Sequence, residues 1–380
     1  MENQESRNTG DGKLIQIIQQ LIGLVLLLIF ALILLSLFAV YQPNIGSWFN
    51  DSKIETTTST TDNNNEALKV QEKSEKSKKM EAEFASFWVP VDIASVIDNK
   101  LKEQLEYGKD LIAHTAKYLG PKGSVMQSTN GMNCQNCHLD AGTKPYGNNY
   151  GSVFSTYPKY RARSGKEEDI YKRVNDCLER SLNGKALKNE SKEMQAIKAY
   201  IEFIGKNVPK GEKTKGSGIF DLPLLERPAD PKKGKELFAA KCQSCHQSDG
   251  KGLLASNNIE YTYPPLWGNN SYNHGAGLYR MSRFAGYIKY NMPQGATYLN
   301  PLLSDEESWD IAAFVNSQPR PKKDLSKDWP KMDEKVFDHP FGPYADSFSE
   351  TQHKYGPFKP IKEELKKQKE LKEKLKATNK

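Results

Sequence analysis

Residues 230–246 read "DPKKGKELFAAKCQSCH". The stretch opens as a helix, with an Asp-Pro start and Leu237 and Phe238 on one side, and runs straight into C-x-x-C-H. "CQNCH" at 134–138 repeats that motif 108 residues earlier, after the longer helical stretch "DNKLKEQLEYGKDLIAHTAKYLG". A cysteine pair followed directly by histidine is the attachment pattern of a c-type haem. Zinc or thioredoxin-type pairs do not require that histidine. Cys134, Cys137, Cys242 and Cys245 are therefore expected to bind haem covalently, with His138 and His246 on the two irons.

The contexts repeat as well. An irregular segment rich in Gly, Pro and Tyr follows each motif, and each half closes with a helix. The closing stretches are "KEMQAIKAYIEFIGKNV" and "SWDIAAFVNSQ", the second preceded by the capping box "SDEE". The expected fold is mostly α: two class I cytochrome c domains in tandem, residues 84–206 and 231–320. A Gly-, Pro- and Lys-rich linker is placed at 207–230. Domains this short and poor in aliphatics cannot bury enough surface alone, and a porphyrin face would complete each core.

The flanks differ. Leu14–Asn50 carries no charged side chain and Leu21–Val40 is almost purely aliphatic. Twenty residues at about 1.5 Å each span about 30 Å, a bilayer core. The run is followed by no A-x-A site, so 14–42 is expected to be a retained transmembrane signal-anchor, with 1–13 cytoplasmic. Residues 43–83 are polar and low in complexity, a disordered tether. Haem c attachment in bacteria takes place outside the cytoplasmic membrane, which puts the soluble domains on its periplasmic side. The tail, 321–380, ends in a stretch with eight lysines and four glutamates and is expected to be solvated and charged; the alternative is a docking helix, since Ile361, Leu365, Leu371 and Leu375 fall roughly on one helical stripe. Haem propionates would offset much of the net charge of +7.

The second axial ligands are expected to differ. In the second half Met292, in "YIKYNMPQGAT", lies 46 residues after His246; Met281 and His274 are its rivals. The first half has no methionine in the matching window. Cys177 stands there, 39 residues after His138, in "YKRVNDCLERSLNGKAL". A lone cysteine is often a small buried hydrophobe. Here Arg173 and Arg180 would share its helical face, a setting that favours thiolate, and exported proteins rarely keep a spare thiol. Arg161, Arg163, Lys172 and Arg173 precede it, and Ser181 lies one turn beyond. This is an anion-binding face beside a haem, unless the arginines pair with haem propionates.

The motifs "YRARSG", "CLERSLNGKAL", "YPPLWG", "SYNHGAGLYR", "IKYNMP" and "WDIAAFVNSQPRP" resemble the thiosulfate dehydrogenase (tetrathionate synthase) family of dihaem cytochromes c over about residues 90–320. The resemblance implies an oxidoreductase with two covalent haem c groups. It implies that two thiosulfates are joined to tetrathionate, possibly reversibly, at a haem ligated by His138 and Cys177. Arg163, Arg173 and Ser181 would surround the substrate. Electrons would leave through a second haem, held by His246 and Met292, to an acceptor such as another cytochrome c. Some family members have a lysine before that methionine, where this chain has Asn291. Two other readings are a membrane-anchored dihaem electron carrier without catalysis and a sulfur-carrier cytochrome acting on a carrier protein. A dihaem peroxidase lacks a third ligand set here, and nothing points to nucleic acid.

Overall fold

The computed structural model describes residues 19–30, 32, 75, 78 and 81–378. Most of the expected anchor and tether lies outside them. Residues 19–30 are helical with exposed side chains, and among the described residues no helix is long and apolar enough to cross a membrane. The described residues divide into two units, one before residue 74 and one from there on.

Within the second unit the two halves share one plan. In the first, α1 (Asn99–Ala113) starts on Asp98, whose carboxylate accepts from the Leu101 N–H at 2.7 Å. It breaks at His114 and resumes as the short α2 (Thr115–Leu119). After the haem motif comes an antiparallel ribbon of β1 (Lys159–Arg161) and β2 (Lys166–Glu168), leading into α3 (Ile170–Arg180). Asp169 caps α3 through the Lys172 N–H at 2.8 Å, and α4 (Lys192–Ile204) closes the half.

In the second half α5 (Pro231–Lys241) carries Pro at its first position behind the Asp230 cap. The ribbon is β3 (Leu253–Leu254) with β4 (Tyr261–Tyr263). Then come α6 (Met281–Asn291) and α7 (Asp305–Ser317), the latter opening with the expected Ser304/Glu307 capping box.

One glycine in each half sets the central crossing. A Cβ on Gly108 of α1 would lie 2.1 Å from the Ala196 carbonyl oxygen of α4. A Cβ on Gly234 of α5 would lie 1.9 Å from the Asp310 carbonyl oxygen of α7. Only glycine lets the first and last helices of each half approach so closely. Around the first crossing pack Leu111, Ile112, Leu178, Met194, Ile197 and Tyr200. Around the second pack Phe238, Trp267, Phe284, Trp309, Ile311 and Phe314.

The 207–230 linker is not wholly exposed, and one expectation, that of a solvated tail, is corrected. Leu222 and Ala229 are buried, Ile219 and Phe220 pack on the second core, and a Cβ on Gly286 would meet the Phe220 carbonyl at 2.1 Å. Nor is 321–380 wholly a solvated tail. Residues 321–349 run as an ordered strap into α8 (Glu350–Tyr355) and α9 (Lys359–Thr378). Phe358 and Ile361 are buried in the second core, with the Phe358 ring 5.6 Å from that of Trp309. A few apolar residues dilute in a lysine-rich sequence suffice to dock it, and the outer part of α9, with Leu371 and Leu375, is exposed on every side.

The halves also bind each other directly. The Tyr287 hydroxyl donates to the Asn136 carbonyl at 2.9 Å, inside the first haem motif. The Asn273 N–H donates to the Arg180 carbonyl at 3.0 Å, and the Asn130 amide to the Ser271 carbonyl at 3.1 Å.

Candidate active site

Each haem motif opens onto a cavity. The first, about 450 Å³, is lined by Cys134, Cys137, His138, Arg173, Cys177 and Ser181 among others. The second, about 420 Å³, is lined by Cys242, Cys245, His246 and Met292. Both lie in the size range of cofactor sites. Cys137 borders both, so the two pockets are neighbours.

The donor sets fit haem c. The His138 Nδ1–H donates to the Asn148 carbonyl at 2.6 Å, and the His246 Nδ1–H to the Pro264 carbonyl at 2.9 Å. These bonds fix each ring and leave Nε2 as the ligating nitrogen. Burial brings His138 down to about 4 and lowers His246, which keeps both neutral, the state that binds a metal. Burial also pushes the Cys134 thiol up to about 11 and Cys137 to about 12. A niche that disfavours thiolate suits an uncharged thioether.

The second-half rivals separate cleanly. Met292 caps the C-terminus of α6 and faces the His246 cavity. Met281 is buried in the hydrophobic core, and His274 stacks on Tyr279 at 5.2 Å, outside that cavity. Asn291 donates to the Tyr146 and Tyr287 carbonyls at 3.1 and 3.0 Å.

A third cavity of about 290 Å³ shares Cys137, His138, Arg173, Cys177 and Ser181 with the first. Its wall carries six arginines: Arg161, Arg163, Arg173, Arg180, Arg280 and Arg283. Arg163 donates to the Gly275 carbonyl at 3.1 Å and lies 3.3 Å from the Asp176 carboxylate. Burial, with Arg180 and Arg173 close by, brings its basicity down to about 10, so it stays charged at neutral pH. Arg173 has no carboxylate within ion-pair distance among the described residues, and the Cys177 sulfur beside it raises its basicity.

Two more of the expected cations are already matched. Lys172 is 2.5 Å from Asp176. Arg180 forms a two-armed pair with Asp328 at 2.7 and 2.8 Å, so it serves the strap rather than the sulfur. The contribution of the second half was missed from sequence. Arg280 and Arg283 stand three residues apart at the start of α6, and "YRMSRF" was the available signal.

The chain matches two family models: the SoxA/TsdA cytochrome c domain over residues 124–209 and cytochrome c over 231–319. It is 41% identical to the thiosulfate dehydrogenase of Allochromatium vinosum over 196 residues, 50% of this chain and 71% of that one. The chain belongs to the thiosulfate dehydrogenase family of dihaem cytochromes c. It therefore carries two covalently bound haem c groups, one per half. The thiosulfate dehydrogenase of Psychrobacter arcticus is 36% identical, over 64% of this chain and 71% of its own length. A solved structure, thiosulfate dehydrogenase (TsdBA) from Marichromatium purpuratum in its as-isolated form, superposes with a TM-score of 0.57 at 30% identity. That match covers 62% of this chain and half of the other.

Proposed function

We propose that this dihaem thiosulfate-oxidising cytochrome joins two thiosulfates into one tetrathionate in the arginine-walled cavity, releasing two electrons. The observation that carries this is the cavity itself, which sets a cysteine sulfur, a serine hydroxyl and six guanidiniums together beside the first haem motif. His138 and Cys177 are assigned to the first iron, His246 and Met292 to the second. When bound, the haems supply one-electron redox centres that accept the electrons and pass them on.

The side chains account for the rest. Two thiosulfates bring four negative charges together, and in water their repulsion opposes a sulfur–sulfur contact. Arg173, Arg163 and Arg161 offset that repulsion in a partly desolvated site, where a guanidinium acts more strongly than in bulk solvent. Arg163 is held in place by Gly275 and Asp176 before any anion arrives, so little reorganisation is needed. Ser181, one turn beyond Cys177, offers a hydroxyl to a sulfonate oxygen. Cys177 keeps its sulfur against the substrates, either as a fixed iron ligand or as a nucleophile that leaves the iron. The same cavity accepts tetrathionate, so the reverse reaction is open to it.

Electrons would leave from the second half to a soluble or membrane-bound acceptor such as another cytochrome c. The uncharged run 14–50 and the site of haem c attachment support a location on the periplasmic side of the membrane, with the N-terminal segment as anchor. The test is turnover by the purified holoprotein. Thiosulfate alone should reduce an artificial acceptor, with one tetrathionate formed per two thiosulfates consumed. Reduction that requires an added sulfur-carrier protein would overturn the assignment.

A further inference from the structure

Three points of the strap hold arginines of the cavity wall. Asp328 pairs with Arg180 at 2.7 and 2.8 Å, and the Trp329 N–H donates to the Arg163 carbonyl at 2.7 Å. Asp338, fully buried, holds Arg280 at 2.6 and 2.8 Å and accepts from both the N–H and the hydroxyl of Ser282. These pairs join residues 148 and 58 positions apart in the chain. All three arginines line the same cavity.

We propose that the strap governs the charge of the thiosulfate cavity. Asp328 and Asp338 are positioning residues: they aim the Arg180 and Arg280 guanidiniums and hold back two of the wall's positive charges. The inference rests on this cavity being the thiosulfate site.

The charge count gives the reason. Six wall arginines face four paired carboxylates, namely Asp176, Asp221, Asp328 and Asp338. The strap supplies two of those four, so without it the excess of wall arginines over paired carboxylates would rise from two to four. The reactants carry four negative charges and the product carries two. A wall with every guanidinium bare would hold the product dianion as well as the reactants, and turnover would stall on release. With carboxylates behind the other four, the charge is concentrated on Arg161 and Arg173, near Cys177.

The test is steady-state kinetics of the full-length holoprotein with Asp328→Asn, which keeps the shape and one hydrogen bond but removes the charge. The KM for thiosulfate and the inhibition constant for tetrathionate should each fall about threefold or more, with a steeper dependence on salt. Haem content and spectrum should be unchanged, and Asp328→Glu should retain parental values. Asp338→Asn repeats the test on the second arginine. Constants within about 1.5-fold of the parent, or raised, would show that the strap is only structural. Arg173→Ala, run alongside, separates the two ideas. If it turns over like the parent, the cavity is not the site and the proposal falls with it. If it is crippled while Asp328→Asn is silent, the strap proposal alone fails.

Discussion

Arg173 and Cys177 stand one turn apart on α3, and both border the haem cavity and the arginine cavity. The sulfur is the largest influence on the guanidinium and raises its basicity. In the proposed reaction a sulfur–guanidinium pair open to two adjoining cavities would let one end of the site hold iron and the other hold an anion.

Arg173→Ala and Arg163→Ala should therefore cut thiosulfate turnover severely with both haems retained. A charge-assisted contact to a dianion contributes about 1.5–3 kcal/mol, roughly ten- to a hundredfold in rate. Steady-state kinetics beside a haem assay would check this. Shifted haem potentials with turnover intact would mean that the arginines serve the propionates instead.

The docked tail makes a stability prediction. Ile361 is fully buried, so Ile361→Ala should destabilise the second half by about 2–5 kcal/mol. Leu371, exposed on the same helix, should tolerate alanine to within about 0.5 kcal/mol. Denaturant unfolding of the two variants measures the difference. Equal and negligible effects would mean that the tail is solvated after all.

Sequence reading was strongest where the chemistry is local. The two C-x-x-C-H motifs, the Ser304/Glu307 box and Arg173, four residues before Cys177, each declare themselves within one or two helical turns. It failed where contacts are distant. Arg180 looks like a neighbour of the thiol in sequence, but the carboxylate that captures it lies 148 residues away. Arg280 and Arg283 reach the cavity only because the second half packs against the first, and that contact has no local pattern. Phe358 was hidden by the lysines around it, and the apolar stripe through Ile361 left docking and solvation both open, since average composition cannot show which few side chains find a core. Gly108 and Gly234 were visible as glycines, yet their role appears only when the crossing helices are in place.

The strap also sets a dependence on pH. Burial, reinforced by Lys335, brings His339 down to about 4 from the ordinary 6.5. The unfolded chain then takes up the proton first, so the contribution of His339 is full above pH 6.5 and lost as pH falls towards 4. Burial alone would raise Asp338, but Arg280 and Ser282 hold its carboxyl below the usual 3.8; its contribution is present above that value and lost only at lower pH. Unfolding measured between pH 7 and 4 should show stability declining through this window, and His339→Asn should flatten the decline. An unchanged slope in that variant would refute the assignment.

At the second haem motif, Met292→Gly should abolish any thioether-to-iron charge-transfer absorption of the oxidised protein while leaving the haem attached through Cys242 and Cys245. Met281→Leu, a volume-conserving change in the core, should leave that absorption in place. A band that survives the loss of Met292 would assign the ligand elsewhere.

The most direct test of the account is Cys177→Met. Attachment depends on Cys134 and Cys137, and the new side chain differs in volume by little more than a methylene or two, so both haems and the fold should persist. With Cys177 as the proposed ligand, a thioether in its place should raise the potential of the first iron, and small mediators should still exchange electrons with the protein. Thiosulfate-dependent formation of tetrathionate should nearly vanish, because the site loses its sulfur nucleophile and its low-potential centre together. Near-parental tetrathionate formation by this variant would contradict the account and leave Cys177 as a packing residue.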